Sequence, residues 1–571
     1  MGRACPVLLV AAAAVFGWIF ADYGITWDEG VQSTYGELVL DYFASAGKDS
    51  RCNEFSNLFY YGSLFESAAA AAYRMVGDWK YEIRHAAIGL AAFLTVVAVW
   101  RFGRLFDCRI VSFFAVLALL MMPRFIGHAF NNSKDIPFAC GFAWGMVGIA
   151  RLLVRRTWAW SEVWLCGAAI GLALSVRAGA LLLLILLAMG IAASLVVLPG
   201  ERQRWREASF GRAAKAAAIV GIAWTIMVLS WPWAQGGPLT RPFEAMAEMS
   251  GFSFAYTTYF AGEFMRSDSL PHHYLPFYLA IVTPLVTSIG AVAGLLAAVW
   301  TRLARGRDAI PTALVASWVS LPLAYVVALR PNVYDGIRHF LFVLPAVALL
   351  AGLGVAWVLE RCGRRWKTPV LILLALAFVL PLRDMVLLHP YQSSYFNTLV
   401  GGVGQAWRRY DTDYWASSYR EAVEWVRRQI AAQGDEEATI VVACNENNRP
   451  CAEYYLRGGA EPNRSTSRVS MHCIWEGHEE VPDDAMYYVA MLRYGKASAF
   501  FPDWPVVHVI GREGAVFSVV KRNPRLSLAG GAVSQRRTRE RACSASFRSR
   551  WTCSSDGFSL KALSKAEIAS S

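Results

Sequence analysis

The chain has 571 residues, 56% of them hydrophobic and only 17% charged, with a formal net charge of +12. Soluble globular proteins usually carry about 25% charged residues, so this composition excludes an ordinary soluble protein over most of the length. The basic excess is no nucleic-acid footprint either, because Lys and Arg cluster in short loops between apolar runs.

Apolar runs of helical length recur at 6–21, 86–105, 110–127, 136–154, 161–176, 178–198, 213–233, 276–300, 310–329, 339–358 and 368–388. Each suits a hydrocarbon core of about 30 Å crossed at 1.5 Å per helical residue. The segment 178–198 is apolar all round, which an amphipathic soluble helix is not. The prediction is an α-helical polytopic membrane protein with about eleven transmembrane helices. The first run is expected to stay as an anchor: no clean A-x-A cleavage site precedes Tyr23, and the charge alternation closes only with this span in place.

Loop charge then assigns sides. One set of short loops holds eighteen Lys and Arg, among them Arg101, Arg151, Arg212, Arg305 and Arg364. The alternate set holds five: Arg124, Lys134, Arg177, Arg330 and Arg338. The positive-inside rule places the first set in the cytoplasm. The expected location is the cell (inner) membrane, with the N-terminus cytoplasmic and the C-terminal region extracytoplasmic. Residues 22–85, 234–275 and everything from His389 onward then lie outside.

The first outer segment opens with Trp27-Asp28-Glu29-Gly30. Paired carboxylates are most often a solvated loop. At a membrane face beside Trp27, Tyr23 and Tyr35 they can be partly desolvated, which would raise a carboxylate's pKa and suit Asp28 to act as a base, with Glu29 as a second acid. One or two interfacial helices are expected in the rest of this segment. The loop Arg124–Pro137 gathers Arg124, His128, Asn131, Lys134 and Asp135. Ordinary loop polarity would explain it, but polar groups at membrane depth are costly and tend to mark sites. Lys134 and Arg124 suit a phosphate oxygen, and Asp135 could orient Lys134 or serve as a second acid. Arg177 in a short outer turn is either an anchor or another cation for the same anion. His272-His273 could bind a metal, but no third ligand accompanies them. The last membrane cluster is Tyr334-Asp335-Gly336-Ile337-Arg338-His339, where Arg338 and His339 either snorkel or clamp an anionic headgroup.

Beyond residue 390 a small α/β domain is predicted over 390–522. Its elements are a helix over 418–430, a strand over 438–443, a helix over 452–457, a strand over 486–491 and a hairpin across Gly511–Gly514. Gly401-Gly402-Val403-Gly404 reads as a flexible turn, since no strand precedes it. Cys444 and Cys451 could pair in an oxidising compartment or remain free. Residues 523–571, rich in Ser, Arg and Ala, read as a disordered tail.

Taken in order, four stretches carry a family resemblance: Trp27–Gly30, Asn131–Pro137, Tyr334–Pro345 and Tyr410–Tyr419. Over roughly residues 5–390 the chain resembles the polyprenyl-phosphate-sugar-dependent glycosyltransferases of the GT-C fold, nearest to the protein O-mannosyltransferase and aminoarabinose-transferase-like proteins. The resemblance implies a transmembrane glycosyltransferase domain over 1–389 and a sugar donor linked to polyprenyl phosphate. It further implies inverting transfer to an acceptor hydroxyl on a protein, lipid or polysaccharide. It implies Asp28 as the catalytic base and donor-phosphate contacts among Lys134, Arg338, Arg124, His339 and Arg177, with His128, Asn131, Asp135 and Tyr334 beside them. No cofactor is expected. No Asp-x-Asp motif stands in the first outer loop, so a divalent metal is not indicated. A flippase for lipid-linked sugars is the alternative, although no internal repeat is visible between the two halves; a sensor would leave the outer clusters unexplained.

Overall fold

A computed structural model describes residues 4–526, apart from 78, 156, 198, 251–255, 301–307, 434–436, 445–448, 460–467, 475–480 and 494–498. Most of the expected tail therefore lies outside the described residues.

The chain is an integral membrane protein. Its helices are α1 (Ala4–Ile19), α2 (Trp27–Ala44), α3 (Leu64–Arg74), α4 (Lys80–Gly103), α5 (Arg109–Leu120), α6 (Pro123–His128), α7 (Asp135–Val154), α8 (Trp160–Leu174), α9 (Leu181–Val197) and α10 (Pro199–Ser230). They continue with α11 (Pro232–Gln235), α12 (Arg241–Ser250), α13 (Tyr274–Val282), α14 (Leu285–Trp300), α15 (Ala309–Leu329), α16 (Leu344–Arg361) and α17 (Arg364–Leu387). Among the described residues, seven helices are long and apolar enough to span a bilayer, and four shorter apolar ones occupy the remaining expected spans. Side chains that a soluble protein would bury face outward: on α17, Leu373 is 67% and Leu376 63% exposed. Lipid is the solvent for that surface.

Proline splits the expected spans 110–127 and 276–300 well inside their length. The run 110–127 ends at Leu120, and α6 starts afresh at Pro123 after Met122 leaves helical geometry at φ −92°, ψ 103°. The run 276–300 breaks between α13 and α14, where Thr283 before Pro284 is extended at φ −96°, ψ 134°. Proline supplies no N–H and pushes its predecessor out of the helical region. The central helix α16 is apolar on nearly every side and buried against α5 and α14. Small residues allow the approach: a Cβ on Gly354 would stand 2.0 Å from the Gly290 carbonyl oxygen. Among the described residues of the segment 22–85, α2 and α3 are the two α-helices of more than one turn outside α4.

Past α17 lie the short α18 (Gly402–Ala406), then α19 (Tyr419–Gln433) and α20 (Arg449–Leu456). A hairpin of β1 (Thr257–Phe260) and β2 (Glu263–Arg266) projects from the loop after α12. The C-terminal sheet contains β3 (Glu437–Ala443), β4 (Arg468–Ile474), β5 (Ala485–Met491), β6 (Val506–Arg512) and β7 (Ala515–Arg522), in the order β4-β3-β5-β7-β6. β3 runs parallel to β4 and β5, while β7 is antiparallel to β5 and β6. Strand β4 was not predicted. It alternates Arg, Ser and His with apolar residues on a sheet edge, so no continuous apolar run marks it. Parallel β3–β4 pairing sets Ala443 opposite Ile474, which brings Cys444 to Cys473 and joins them in a disulfide. That corrects the candidate pairing of Cys444 with Cys451. Cys451 is instead a buried free thiol on α20, and its Sγ donates to the Thr26 carbonyl at 3.2 Å.

Residues 1–523 pack as one unit. Ile25 and Tyr81 of the membrane region share an apolar cluster with Tyr391, Tyr419 and Tyr455. The Tyr455 hydroxyl accepts from the Ile25 amide at 2.8 Å, and the Tyr454 hydroxyl donates to Glu82 at 2.8 Å. The sheet domain therefore bears directly on the segment that leads into α2.

Candidate active site

The start of α2 is built by a capping box. Thr26 is the N-cap, and the Glu29 carboxylate accepts from the Thr26 amide at 2.8 Å. Glu29 is 1% exposed and also meets His85 Nε2 at 3.0 Å. Consecutive helical residues point about 100° apart, a consequence of 3.6 residues per turn. Asp28 therefore turns away from Glu29 and towards the loops after α6 and α15. Glu29 does not join Asp28 in one acid pair; it holds the helix start that aims Asp28.

Three of the expected residues converge. Arg338 Nη1 donates to Asp28 Oδ2 at 3.3 Å, and Lys134 Nζ lies 3.9 Å from the same oxygen. The Asp28 side chain keeps 38% of its surface open, against 8% for Arg338 and 19% for Lys134. The carboxylate is thus the more accessible member, flanked by a buried Arg338 and a half-buried Lys134. Burial would raise its pKa, as the sequence suggests, but Lys134 and Arg338 outweigh burial and hold it below the ordinary carboxylate range. This corrects the expected upward shift: the loops that bring cations are far away in sequence.

Each cation is itself fixed. Asp335 Oδ2 lies 3.2 Å from Arg338 Nε in an ion pair, and the guanidinium lies 4.8 Å from the Tyr334 ring and 4.9 Å from the Trp415 ring. Lys134 sits 4.6 Å over the Tyr61 ring. With its amide oriented to satisfy both neighbours, Gln32 accepts from Lys134 at 2.5 Å and donates to Glu66 at 2.9 Å. Glu66 in turn pairs at 2.7 Å with Arg84, whose side chain is fully buried. Arg177 lies 5.5 Å from the Tyr61 ring and pairs with Asp135 at 2.9 Å. Asp135 therefore orients Arg177, and its other oxygen accepts from Asn132 at 2.9 Å.

The remaining candidates surround this centre. The Asn131 amide donates to the Gly24 carbonyl at 3.2 Å, while the Thr26 hydroxyl donates to the Asn131 carbonyl at 3.2 Å, so Asn131 pins the strand leading to Asp28. Burial, with Arg124 and Arg338 nearby, pushes His128 well below the ordinary imidazole range and keeps it neutral. Its Nε2 meets the Tyr414 hydroxyl at 2.8 Å. Arg124 is spent elsewhere: it donates to the Tyr395 carbonyl at 2.9 Å and covers Phe396 at 4.7 Å. His339 packs edge-on against Tyr334 at 4.7 Å. His272 contacts Arg330 and the Val327 carbonyl, and no group of three or more potential metal ligands occurs among the described residues.

No family model and no curated protein matches the chain. Its fold is similar to that of ArnT from Cupriavidus metallidurans bound to undecaprenyl phosphate, at 15% identity over 93% of this chain and 100% of that one, with a TM-score of 0.48. It is also similar to the Archaeoglobus fulgidus oligosaccharyltransferase tethered with an acceptor peptide, at 12% identity over 85% of this chain and 68% of that one, with a TM-score of 0.46. A further similarity is to the arabinofuranosyltransferase AftD from Mycobacteria, at 13% identity over 85% of this chain and 35% of that one, with a TM-score of 0.40. The likeness concerns overall arrangement; the chemistry rests on the side chains of this chain.

Several site residues carried no signal in the sequence. Tyr61, Gln32 and Tyr256, the last packed at a tilt against Tyr334 with ring centres 4.5 Å apart, lie in stretches without a motif. Trp415 stands in the stretch 410–419, whose acids are structural here. Asp413 accepts from the Ser417 and Ser418 amides at 3.0 and 2.9 Å, and Asp411 accepts from the Tyr259 amide at 3.0 Å. Gly24 must be glycine for a related reason: a Cβ there would lie 2.2 Å from the Ser417 carbonyl oxygen. Arg493, from the loop after β5, reaches in from the C-terminal domain.

Proposed function

We propose that this protein is a membrane glycosyltransferase that moves a sugar from a polyprenyl-phosphate-linked donor to an acceptor hydroxyl on the outer side of the membrane, with inversion. The observation that carries the proposal is the accessible Asp28 carboxylate held between buried Arg338 and half-buried Lys134. A donor phosphate and the Asp28 carboxylate compete for the same two cations. When the phosphate engages Lys134 and Arg338, Asp28 loses part of its ion pairing and becomes the stronger base. It then takes the proton of the acceptor hydroxyl as that oxygen attacks the anomeric carbon from the face opposite the phosphate. The bond from the anomeric carbon to the phosphate oxygen breaks, and both electrons leave with polyprenyl phosphate. That leaving group gains a negative charge, which Arg338 and Lys134 stabilise in a site already oriented by Asp335 and Gln32. Neutral His128 and the aromatic rings of Tyr61, Tyr334 and Trp415 supply walls that add no competing charge. No step in this scheme uses a metal, so transfer should survive chelation.

The location of the charged cluster supports the outer-side assignment. The turns that hold Asp28, Lys134, Arg177 and Arg338 gather at one end of the helical bundle, and they belong to the loops poor in Lys and Arg. The deciding experiment incubates purified protein with radiolabelled polyprenyl-phosphate sugars and an extract of candidate acceptors. Transfer or hydrolysis of the label, with inverted configuration in the product, is the expected result. A donor that stays chemically intact while crossing a vesicle membrane would replace this reading with a flippase.

A further inference from the structure

We propose that Arg493 is a positioning residue by which the C-terminal domain completes the donor-phosphate site of the membrane domain; this rests on the reading above. Arg493 follows β5, and its side chain is 6% exposed. Its Nη2 donates to Asp335 Oδ1, its Nη1 donates to the Tyr414 carbonyl at 2.6 Å, and its Nε lies 4.0 Å from Asp411. The other oxygen of Asp335 holds Arg338. One buried carboxylate thus joins an arginine of the sheet domain to the arginine that faces Asp28.

The backbone presents Asp335 for this purpose. Asp335 has φ +58° and Gly336 has φ +66°, a left-handed pair that folds the loop back between the two guanidinium groups. A non-glycine residue adopts that region only at some cost, and such outliers cluster where a side chain must be aimed.

Charge explains what the link does. In the ion pairs supplied by the membrane domain, Asp28, Asp135 and Asp335 face Lys134, Arg177 and Arg338. Those six charges cancel, which leaves little attraction for an incoming phosphate. Arg493 takes up part of the Asp335 charge from the far side. Arg338 is then bound less tightly to Asp335 and retains positive potential toward the donor. Without Arg493, Asp335 has one arginine partner here and draws Arg338 away from the phosphate.

The test uses full-length protein in nanodiscs, with a C55 polyprenyl phosphate as binding probe and the corresponding phosphosugar as donor. Arg493→Ala should weaken polyprenyl-phosphate binding by about tenfold, in the usual range for coupling between sites, and lower donor kcat/KM by at least that factor, because Arg338 also stabilises the charge on the leaving phosphate. Arg493→Lys, which keeps the charge but lacks the planar fork, should fall between wild type and Arg493→Ala. In an Asp335→Asn background, Arg493→Ala should have no further effect, because the shared carboxylate is gone. If Arg493→Ala melts early, Arg493→Lys and the Asp335→Asn pair carry the comparison. Wild-type binding by the Arg493 variants, or losses that add in the double variant, would overturn the positioning role and leave the donor assignment standing. A wild-type protein that does not bind the polyprenyl phosphate would overturn the donor assignment, and this proposal with it.

Discussion

Replacing Asp28 by Asn tests the centre of the site with little change of shape. The amide keeps the volume of the carboxylate but can neither take a proton from the acceptor nor pair with a cation. General-base catalysis is typically worth about 10²–10⁴-fold, which corresponds to roughly 3–5 kcal/mol of barrier at 1.36 kcal/mol per decade. Stability should change far less. Asp28 is 38% exposed, and its two ion pairs at 3.3 and 3.9 Å are of the partly solvated kind, worth about 0–1 kcal/mol each. Donor affinity should rise rather than fall, because the competitor for Lys134 and Arg338 has gone. The assay is steady-state transfer from a radiolabelled donor, with KM and kcat resolved and a melting curve on the same sample. The expected result is a kcat lower by two orders of magnitude or more, an unchanged or lower donor KM, and a melting temperature within a few degrees. A kcat within tenfold of wild type would refute the base assignment, and so would a rate loss that merely tracks loss of folded protein.

Glu29→Ala should act on stability instead of chemistry. It removes the capping box, worth about 1 kcal/mol, and leaves buried His85 without its carboxylate, so thermal unfolding should shift clearly downward. Transfer per folded molecule should fall only as far as Asp28 is misaligned. Gly24→Ala forces a Cβ to 2.2 Å from the Ser417 carbonyl oxygen, so it should loosen the junction between the membrane and sheet domains, read as faster proteolysis near residue 390 and reduced transfer. Asp411 supplies a pH signature. Burial is the main cause that pushes its carboxyl up to about 6, with Arg493 opposing it. Since the folded form holds its proton more tightly than the unfolded one, stability should decline as pH rises from about 4 to about 6, by roughly 2–3 kcal/mol at most. Asp411→Asn should flatten that slope in denaturant titrations between pH 4 and 7, and an unchanged slope would count against it.

The membrane character was legible because the bilayer imposes a length and an apolarity that survive in one dimension. Pro123 and Pro284 split two of the spans, and proline's effect on a helix is local and visible, while the exact ends depend on neighbours. Asp28, Lys134 and Arg338 stood out for the same reason: charge at membrane depth is costly wherever it occurs. What sequence could not supply was the company each keeps. The pKa of Asp28 moves opposite to the local expectation because Lys134 and Arg338, about 100 and 300 residues on, arrive only through folding. Glu29, adjacent to Asp28 in the chain, faces another way because helical geometry separates neighbours. Cys444 found Cys473 and not Cys451, since strand register decides which sulfurs meet. Composition and periodicity thus determined where the chain lies and which residues are costly enough to need a purpose. Only the tertiary structure decided which of them meet, because the ion pairs and aromatic contacts around Asp28 join segments that no local pattern connects.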